Sequence, residues 1–407
     1  MTEVLSGREP ERSGLAAALR FSDLTDAVIV RMFSLACTKA GAATGAIPIA
    51  IVATGGYGRQ ELCVYSDIDI TFVPQRDGDP DIEAVIREMF RQLMDVFITR
   101  CGLEVGYAYR LLEDCAHLDH QTTCGLLDAR LICGSERLFI RFEDAFWSGF
   151  NPAEFVFAKR DEREETLDKL GRLPRVVEPE LKEGPGGLRD LHTAVWMAQA
   201  QSGVVAARVR GDRALEMLQR SKVAGREDAE TLRASREFLI RARNVLHAAT
   251  GTARDQLVVT RQEEVAAALA AAPSSSSSRP DAVQDRPAVE RLMSELYDAL
   301  AANRRICASI VTSILRSRMI LGLELDADDG EIAPATGTAE VGDPGWLVWA
   351  CELAQRYHLH VGDRFNAAAR SLMSRSRRAL DGGRASQAFT RLLDRFGDVY
   401  PALQRMA

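Results

Sequence analysis

One stretch near the amino terminus limits what this chain can fold into. Ile47-Pro-Ile-Ala-Ile-Val-Ala-Thr54 is short, β-branched and almost wholly apolar, and it runs straight into Gly55-Gly56-Tyr57-Gly58. A run of that length reads as a buried strand, and the glycines as a turn at its carboxyl end. After a polar spacer, Ile68-Asp69-Ile70-Thr71-Phe72-Val73 alternates and stops at Pro74, as a second strand does. Residues two apart on a strand share a face. Asp67 and Asp69 therefore aim two carboxylates at one place while Ile68 and Ile70 enter the core.

The surrounding pattern extends this unit. Residues 81–100 open with carboxylates and repeat apolar positions at helical spacing, predicting a helix that crosses to a third strand at 103–109 (LEVGYAY). Residues 13–41 read as an amphipathic helical lead-in. From about residue 111 the periodicity is helical almost to the end, in segments 122–133, 135–170, 190–222, 226–249, 286–318 and 344–358. Two breaks interrupt it: the serine run between Pro273 and Pro280, and residues 324–344, which are acidic and rich in Gly, Pro and Thr. Both are expected to be flexible loops. The predicted fold is α+β: a lead-in over 1–44, a small mixed-sheet domain over 45–134 and an all-helical domain over 135–407.

Composition excludes several classes of function. Of 407 residues, 51 are Lys or Arg and 58 are Asp or Glu, a formal net charge of −7. A protein that binds by spreading over phosphate backbones needs a basic face, so no nucleic-acid partner is expected. The eight cysteines stand singly with no C-x-x-C pair and read as reduced core residues. The amino terminus has no apolar leader, and no apolar run is long enough to span a bilayer. A cytoplasmic protein without membrane contact is expected.

Two carboxylates so close need a cation between them, and hard oxygen ligands suit Mg²⁺ held together with substrate phosphates. Glycines at the preceding turn let backbone N–H groups approach a triphosphate. The chemistry these parts fit is attack by a hydroxyl on the α-phosphorus of a nucleoside triphosphate. A third carboxylate usually completes such a site. Glu104 on the third strand is the choice for ligand or general base, with Asp128 as its substitute. Taken alone, a D-x-D pair on a strand is more often a solvated edge or a turn, and for Glu104 a surface or structural role weighs evenly with catalysis. The ordered combination of strand, glycine turn, Ser-Asp-x-Asp and returning helix is what points to a site.

The residues GGYGRQELCVYSDIDITFV (55–73) resemble the active-site signature of the DNA polymerase β-like nucleotidyltransferase superfamily. Within it, the closest resemblance is to the bifunctional uridylyltransferase/uridylyl-removing enzymes that modify the PII signal protein in bacterial nitrogen regulation. A second stretch, Glu178-Pro-Glu-Leu-Lys-Glu-Gly-Pro-Gly-Gly-Leu-Arg-Asp190, is similar to that family's EPNLKEGPGGLRD signature. The resemblance implies a nucleotidyltransferase domain over 45–134 that uses UTP and Mg²⁺ to uridylylate a tyrosine hydroxyl of PII. Gly55 and Gly56 would hold the triphosphate, Asp67 and Asp69 the metals, and Ser66 would support the carboxylates or a phosphate. Arg59 and Glu61 in the same signature are expected to form an internal ion pair.

In the second motif, Gly184-Pro-Gly-Gly187 is a turn entering a helix. Lys182 and Arg189 flank it and can meet phosphates or the carboxylates, Asp190 is a possible N-cap, and His192 and Trp196 read as core or interface residues. Packing of the turn against the catalytic domain, without ligand contact, is the competing reading. Members of that family are longer, with an HD phosphohydrolase domain and two glutamine-sensing ACT domains. This chain has no His-Asp dipeptide, so no uridylyl-removing activity is expected of it, and it is expected to be a fragment or a short form. A transferase using another nucleotide or acceptor, and a catalytically silent binding module, are the rival expectations.

Overall fold

The computed structural model describes residues 14–41, 47–202, 212–220, 222–270, 287–315, 326–328, 331–333, 345–356 and 360–375, with 386, 389–390 and 392–393. The chain forms two compact units divided between Val311 and Thr312.

The first unit begins with α1 (Leu15–Lys39). A four-stranded sheet follows, built from β1 (Ile49–Ala53), β2 (Ile68–Pro74), β3 (Val105–Tyr109) and β4 (Arg130–Gly134) in the order β3-β2-β1-β4. β1 is antiparallel to both neighbours and β2 is parallel to β3. A parallel neighbour needs a crossover, and α3 (Pro80–Leu93) provides it. Asp79 caps that helix by accepting from the amides of Asp81 and Ile82 at 3.0 and 3.3 Å, with Pro80 at the first helical position. Ile29, Phe33 and Cys37 of α1, Ile49 and Ile51 of β1, Ile68 and Ile70 of β2, and Ile82 and Met89 of α3 close into one core. The lead-in helix thus covers the sheet. The turn after β1 is a single helical turn, α2 (Gly55–Gly58).

Residues 130–134 depart from the helical reading of 122–133. The helix there, α4 (His120–Leu127), stops short, and Arg130–Gly134 pairs with β1. Five residues carry little periodicity of their own, and the edge of β1 decides their state. The segment 135–170 is two helices, α5 (Glu136–Gly149) and α6 (Pro152–Leu170). Pro152 cannot continue a helix, and Asn151 starts the next one by accepting from the Glu154 amide at 3.2 Å.

The rest of the unit is helical: α7 (Leu188–Ser202), α8 (Asp212–Arg220), α9 (Arg226–Thr250), α10 (Val259–Ala270) and α11 (Ala288–Leu315), the last crossing the boundary between units. α7 is buried on every side from Asp190 to Ala200, so it runs through the core rather than over it. In the second unit, β5 (Asp326–Asp328), β6 (Glu331–Ala333) and β7 (His360–Val361) form a small sheet, and the described helices are α12 (Gly345–Arg356) and α13 (Asp363–Arg375). The expected loop at 324–344 therefore contains two paired strands. The expected loop at 273–280 lies outside the described residues. Among the described residues, no helix is long and apolar enough to cross a membrane.

Candidate active site

The carboxyl end of β1, the start of β2 and the start of β3 meet at one wall of a cavity of about 1160 Å³. Gly55, Gly56, Ser66, Asp67, Asp69 and Glu104 all line it. Lys182 and Arg189 line it as well, whereas Asp128 and Asp190 do not.

Asp69 sits inside β2 between the buried Ile68 and Ile70, and Asp67 precedes the strand and is exposed. In the β2–β3 ladder Asp69 lies opposite Gly106. A Cβ at Gly106 would stand 2.3 Å from Asp69 Oδ1, so the carboxylate occupies the space that glycine leaves. Burial, and after it the charge of Asp67, raise the Asp69 carboxyl above its ordinary range, while Lys182 and Arg59 pull it back. A cation held between the two side chains would offset the charge that Asp67 places beside Asp69. Glu104 is exposed and lies one residue before β3, not within it; its carbonyl accepts from the Ile68 amide at 3.0 Å.

Asp128, the substitute third carboxylate, is engaged elsewhere. It is buried, paired with Arg59, and accepts from Trp196 Nε1 at 3.0 Å. Arg59 also donates to Glu61 Oε2 at 2.9 Å, the internal pair expected of these two residues. Glu61 in turn accepts from Arg236 of α9 at 2.7 Å and meets His192 Nε2 of α7 at 2.9 Å. This buried network ties the glycine turn to two helices. Burial works against the Glu61 charge, but the Arg236, His192 and Arg59 contacts overcome it and hold the carboxyl well below its ordinary range.

Burial, and after it the Arg59 charge, push His192 down to about 3, outweighing the contact with Glu61. The folded imidazole is therefore neutral where an unfolded one, near pH 6.5, begins to bind a proton. Its contribution to stability is complete above pH 6.5 and is lost progressively as the pH falls towards 3. His192→Gln is expected to flatten the upper part of that loss, between pH 6.5 and 4.5, before Glu61 adds its own. Urea midpoints measured across that range check this; parallel curves for the parent and the variant would show that His192 does not titrate as described.

The second motif is a built loop. Glu180 accepts from the amides of Lys182 and Gly184, Arg189 N donates to the Lys182 carbonyl at 2.8 Å, and Leu181 N donates to the Asp255 carbonyl at 2.9 Å. Arg163 donates to the carbonyls of Glu183 and Gly184 at 2.7 and 2.9 Å, and Asn303 to those of Gly186 and Gly187 at 2.7 and 3.0 Å. Gly186 has φ +79°, and a Cβ there would stand 2.0 Å from the Leu300 carbonyl oxygen. Only glycine fits. Asp190 lies in the first turn of α7, not at its cap, and reaches back to accept from Gly186 N at 2.7 Å and from Arg163 at 2.7 Å. Arg189 is held by Glu183 at 2.6 Å and lies 5.3 Å from the Trp196 ring centre.

Sequence reasoning missed the clamp on the segment between the glycine turn and Asp67. From α9, Asn244 accepts from Val64 N at 3.3 Å, and His247 Nδ1 donates to the Val64 carbonyl at 2.6 Å. Arg243 pairs with Asp255 at 2.7 Å and donates to Cys63 Sγ at 3.5 Å. Tyr65 then takes a left-handed conformation, φ +66°, immediately before Ser66-Asp67. A non-glycine residue holds that shape only where its surroundings insist on it. The available signal was polar side chains at positions 236, 243, 244 and 247, on the face of α9 that also carries Leu239, Ile240 and Leu246.

Residues 154–311, from α6 into α11, match the sequence model of the GlnD PII-uridylyltransferases, and residues 10–109 match that of the DUF294 nucleotidyltransferases. The chain belongs to the PII-uridylyltransferase family. The bifunctional uridylyltransferase/uridylyl-removing enzyme of Caulobacter vibrioides is 32% identical over 295 residues, 70% of this chain and 29% of that protein. The enzymes of the same name from Phenylobacterium zucineum and Cereibacter sphaeroides are 31% identical over 331 residues and 33% over 272. These cover 79% and 63% of this chain, but 32% and 27% of the family members themselves.

Proposed function

We propose that this chain is a Mg²⁺-dependent nucleotidyltransferase that moves UMP from UTP to a tyrosine hydroxyl of a PII-type protein in the cytoplasm. The observation that carries the reading is the Asp67–Asp69 pair beside the Gly55-Gly56 turn, in a cavity that Lys182 also lines. The donor set fits the ion: two hard carboxylates, one of them raised by burial and then by the other's charge. Asp67 and Asp69 would hold Mg²⁺, which when bound screens the triphosphate and steadies the attacking and leaving oxygens.

The chain's own groups do the rest. First-turn amides of α2 have no acceptor within the helix and receive phosphate oxygens. Lys182 adds a positive charge opposite Asp69, and Arg189 meets a phosphate while Glu183 fixes its orientation. Glu104 takes the proton of the acceptor hydroxyl as its oxygen bonds to the α-phosphorus and pyrophosphate leaves. The names of the relatives support a uridylyl group as what is transferred, and the name of the matching family model supports PII as its acceptor.

The test is incubation with each of UTP, ATP, CTP and GTP, Mg²⁺ and a PII-type protein, followed by intact mass of the acceptor. One added UMP per subunit is expected, and no addition from any nucleotide would refute the proposal. Gly106→Ala offers a finer check. The added Cβ displaces the Asp69 carboxylate, and transfer should fall about 10²-fold with little change in melting temperature. Unchanged kinetics would mean that the position of Asp69 is not critical.

A further inference from the structure

Another part of the same cavity is lined by His120 and Cys124 of α4 and Glu162 of α6. His120 Nε2 lies 2.8 Å from Glu162 Oε2 and 3.8 Å from Cys124 Sγ, and the three donor atoms lie within 4.8 Å of one another. His120 and Cys124 are four apart on a helix, so they stand on one face.

Both contacts fall on the same ring nitrogen. A relay from thiol to imidazole to carboxylate needs its two partners on opposite nitrogens, so this is not a nucleophilic triad. Sulfur, nitrogen and oxygen converging from one side is how ligands surround an ion. A tetrahedral zinc ion holds such donors about 3.3–3.7 Å apart. The observed S···N spacing is close to that, and the N···O pair needs to open by roughly half an ångström.

The supports for these ligands are also in place. The His120 ring packs on Phe155, with centroids 5.3 Å apart, and Cys124 is buried. Lys159, itself buried, bonds both Glu162 oxygens at 3.0 and 2.9 Å. It can keep Oε1 while Oε2 turns to an ion, a second contact that fixes the carboxylate.

We propose that His120, Cys124 and Glu162 form a three-ligand site for a zinc-class divalent ion, distinct from Asp67–Asp69 and with its remaining position open to the cavity. It stands independently of the transferase reading.

Cobalt(II) is the probe, added to the full chain after chelator treatment. One equivalent should bind with a thiolate-to-cobalt charge-transfer band, and zinc should displace it. Cys124→Ser should abolish the band, and His120→Gln and Glu162→Gln should each weaken binding at least about tenfold. D67N/D69N should leave it intact. Absence of the band, its survival in Cys124→Ser, or its loss in D67N/D69N would each overturn the site. Should Cys124→Ser fail to fold by circular dichroism, the two glutamine variants decide: unchanged affinity in both refutes the proposal.

Discussion

Replacing Asp67 and Asp69 together by asparagine is expected to lower UMP transfer by about 10³-fold or more, corresponding to roughly 4 kcal/mol of lost transition-state stabilisation. The same change should leave the melting temperature equal or slightly higher. The reason lies in the sign of the Asp69 shift. Its carboxyl is raised by burial and by Asp67, so the folded chain holds a proton more readily than the unfolded one. That preference favours the fold at low pH and is lost as the pH climbs through the raised value, leaving an ionised pair that costs stability at neutral pH. Asparagine removes the charges and the cost together. Steady-state transfer and a thermal melt of one preparation make the test. Transfer within tenfold of the parent would dismiss both residues as the reacting centre, whereas a melting point several degrees lower would mark them as structural.

The sequence carries these two residues plainly because local patterning alone sets them out. Alternation places Asp69 opposite in sense to Ile68 and Ile70, and no distant contact is needed to read it. The glycine turn and the crossover to β3 are equally local: a short apolar run, then a capped helix beginning Asp79-Pro80, then a parallel partner. β4 is different. Arg130–Gly134 becomes a strand because β1 offers it an edge, and Arg130 is held by Asp26 of α1, 104 residues away, at 2.6 and 3.0 Å. Nothing within five residues announces that pairing.

The site divides along the same line. Residues whose role depends on their own strand or turn were legible; residues whose role depends on a partner far along the chain were not. Asp128 sits in Leu-Leu-Asp-Ala-Arg-Leu, where it reads as the substitute for Glu104 as third carboxylate. Only Arg59 and Trp196, 69 and 68 residues away, show that it is occupied. The Val64 clamp from Asn244 and His247 spans 180 and 183 residues, and it explains a point that the motif alone leaves unaddressed. The helices are not an appendage to the carboxylate platform. They hold the backbone from which Asp67 departs.

That dependence predicts the largest stability effect in the first unit, at Glu61. Its carboxylate is 6% exposed and receives Arg59 from its own turn, His192 from α7 and Arg236 from α9. Removing one partner from a buried ionic cluster leaves the others without compensation, which costs about 3–5 kcal/mol. Glu61→Gln keeps the shape and removes the charge, so the loss should appear in full in urea or guanidinium unfolding followed through the first unit's tryptophans. The acid limb gives a second reading. Glu61 is ionised in the fold well below its ordinary range, so its contribution is complete above pH 4.5 and drains away as the pH falls further. In Glu61→Gln that limb should be shallower. Transfer should decline too, because Arg59 and the α2 turn lose one of their two buried anchors while Asp67 and Asp69 are untouched. A loss under about 1 kcal/mol with an unchanged acid limb would give Glu61 no more weight than an ordinary surface ion pair, and the helices would then owe their hold on the turn to the Val64 clamp and the Arg59–Asp128–Trp196 contacts.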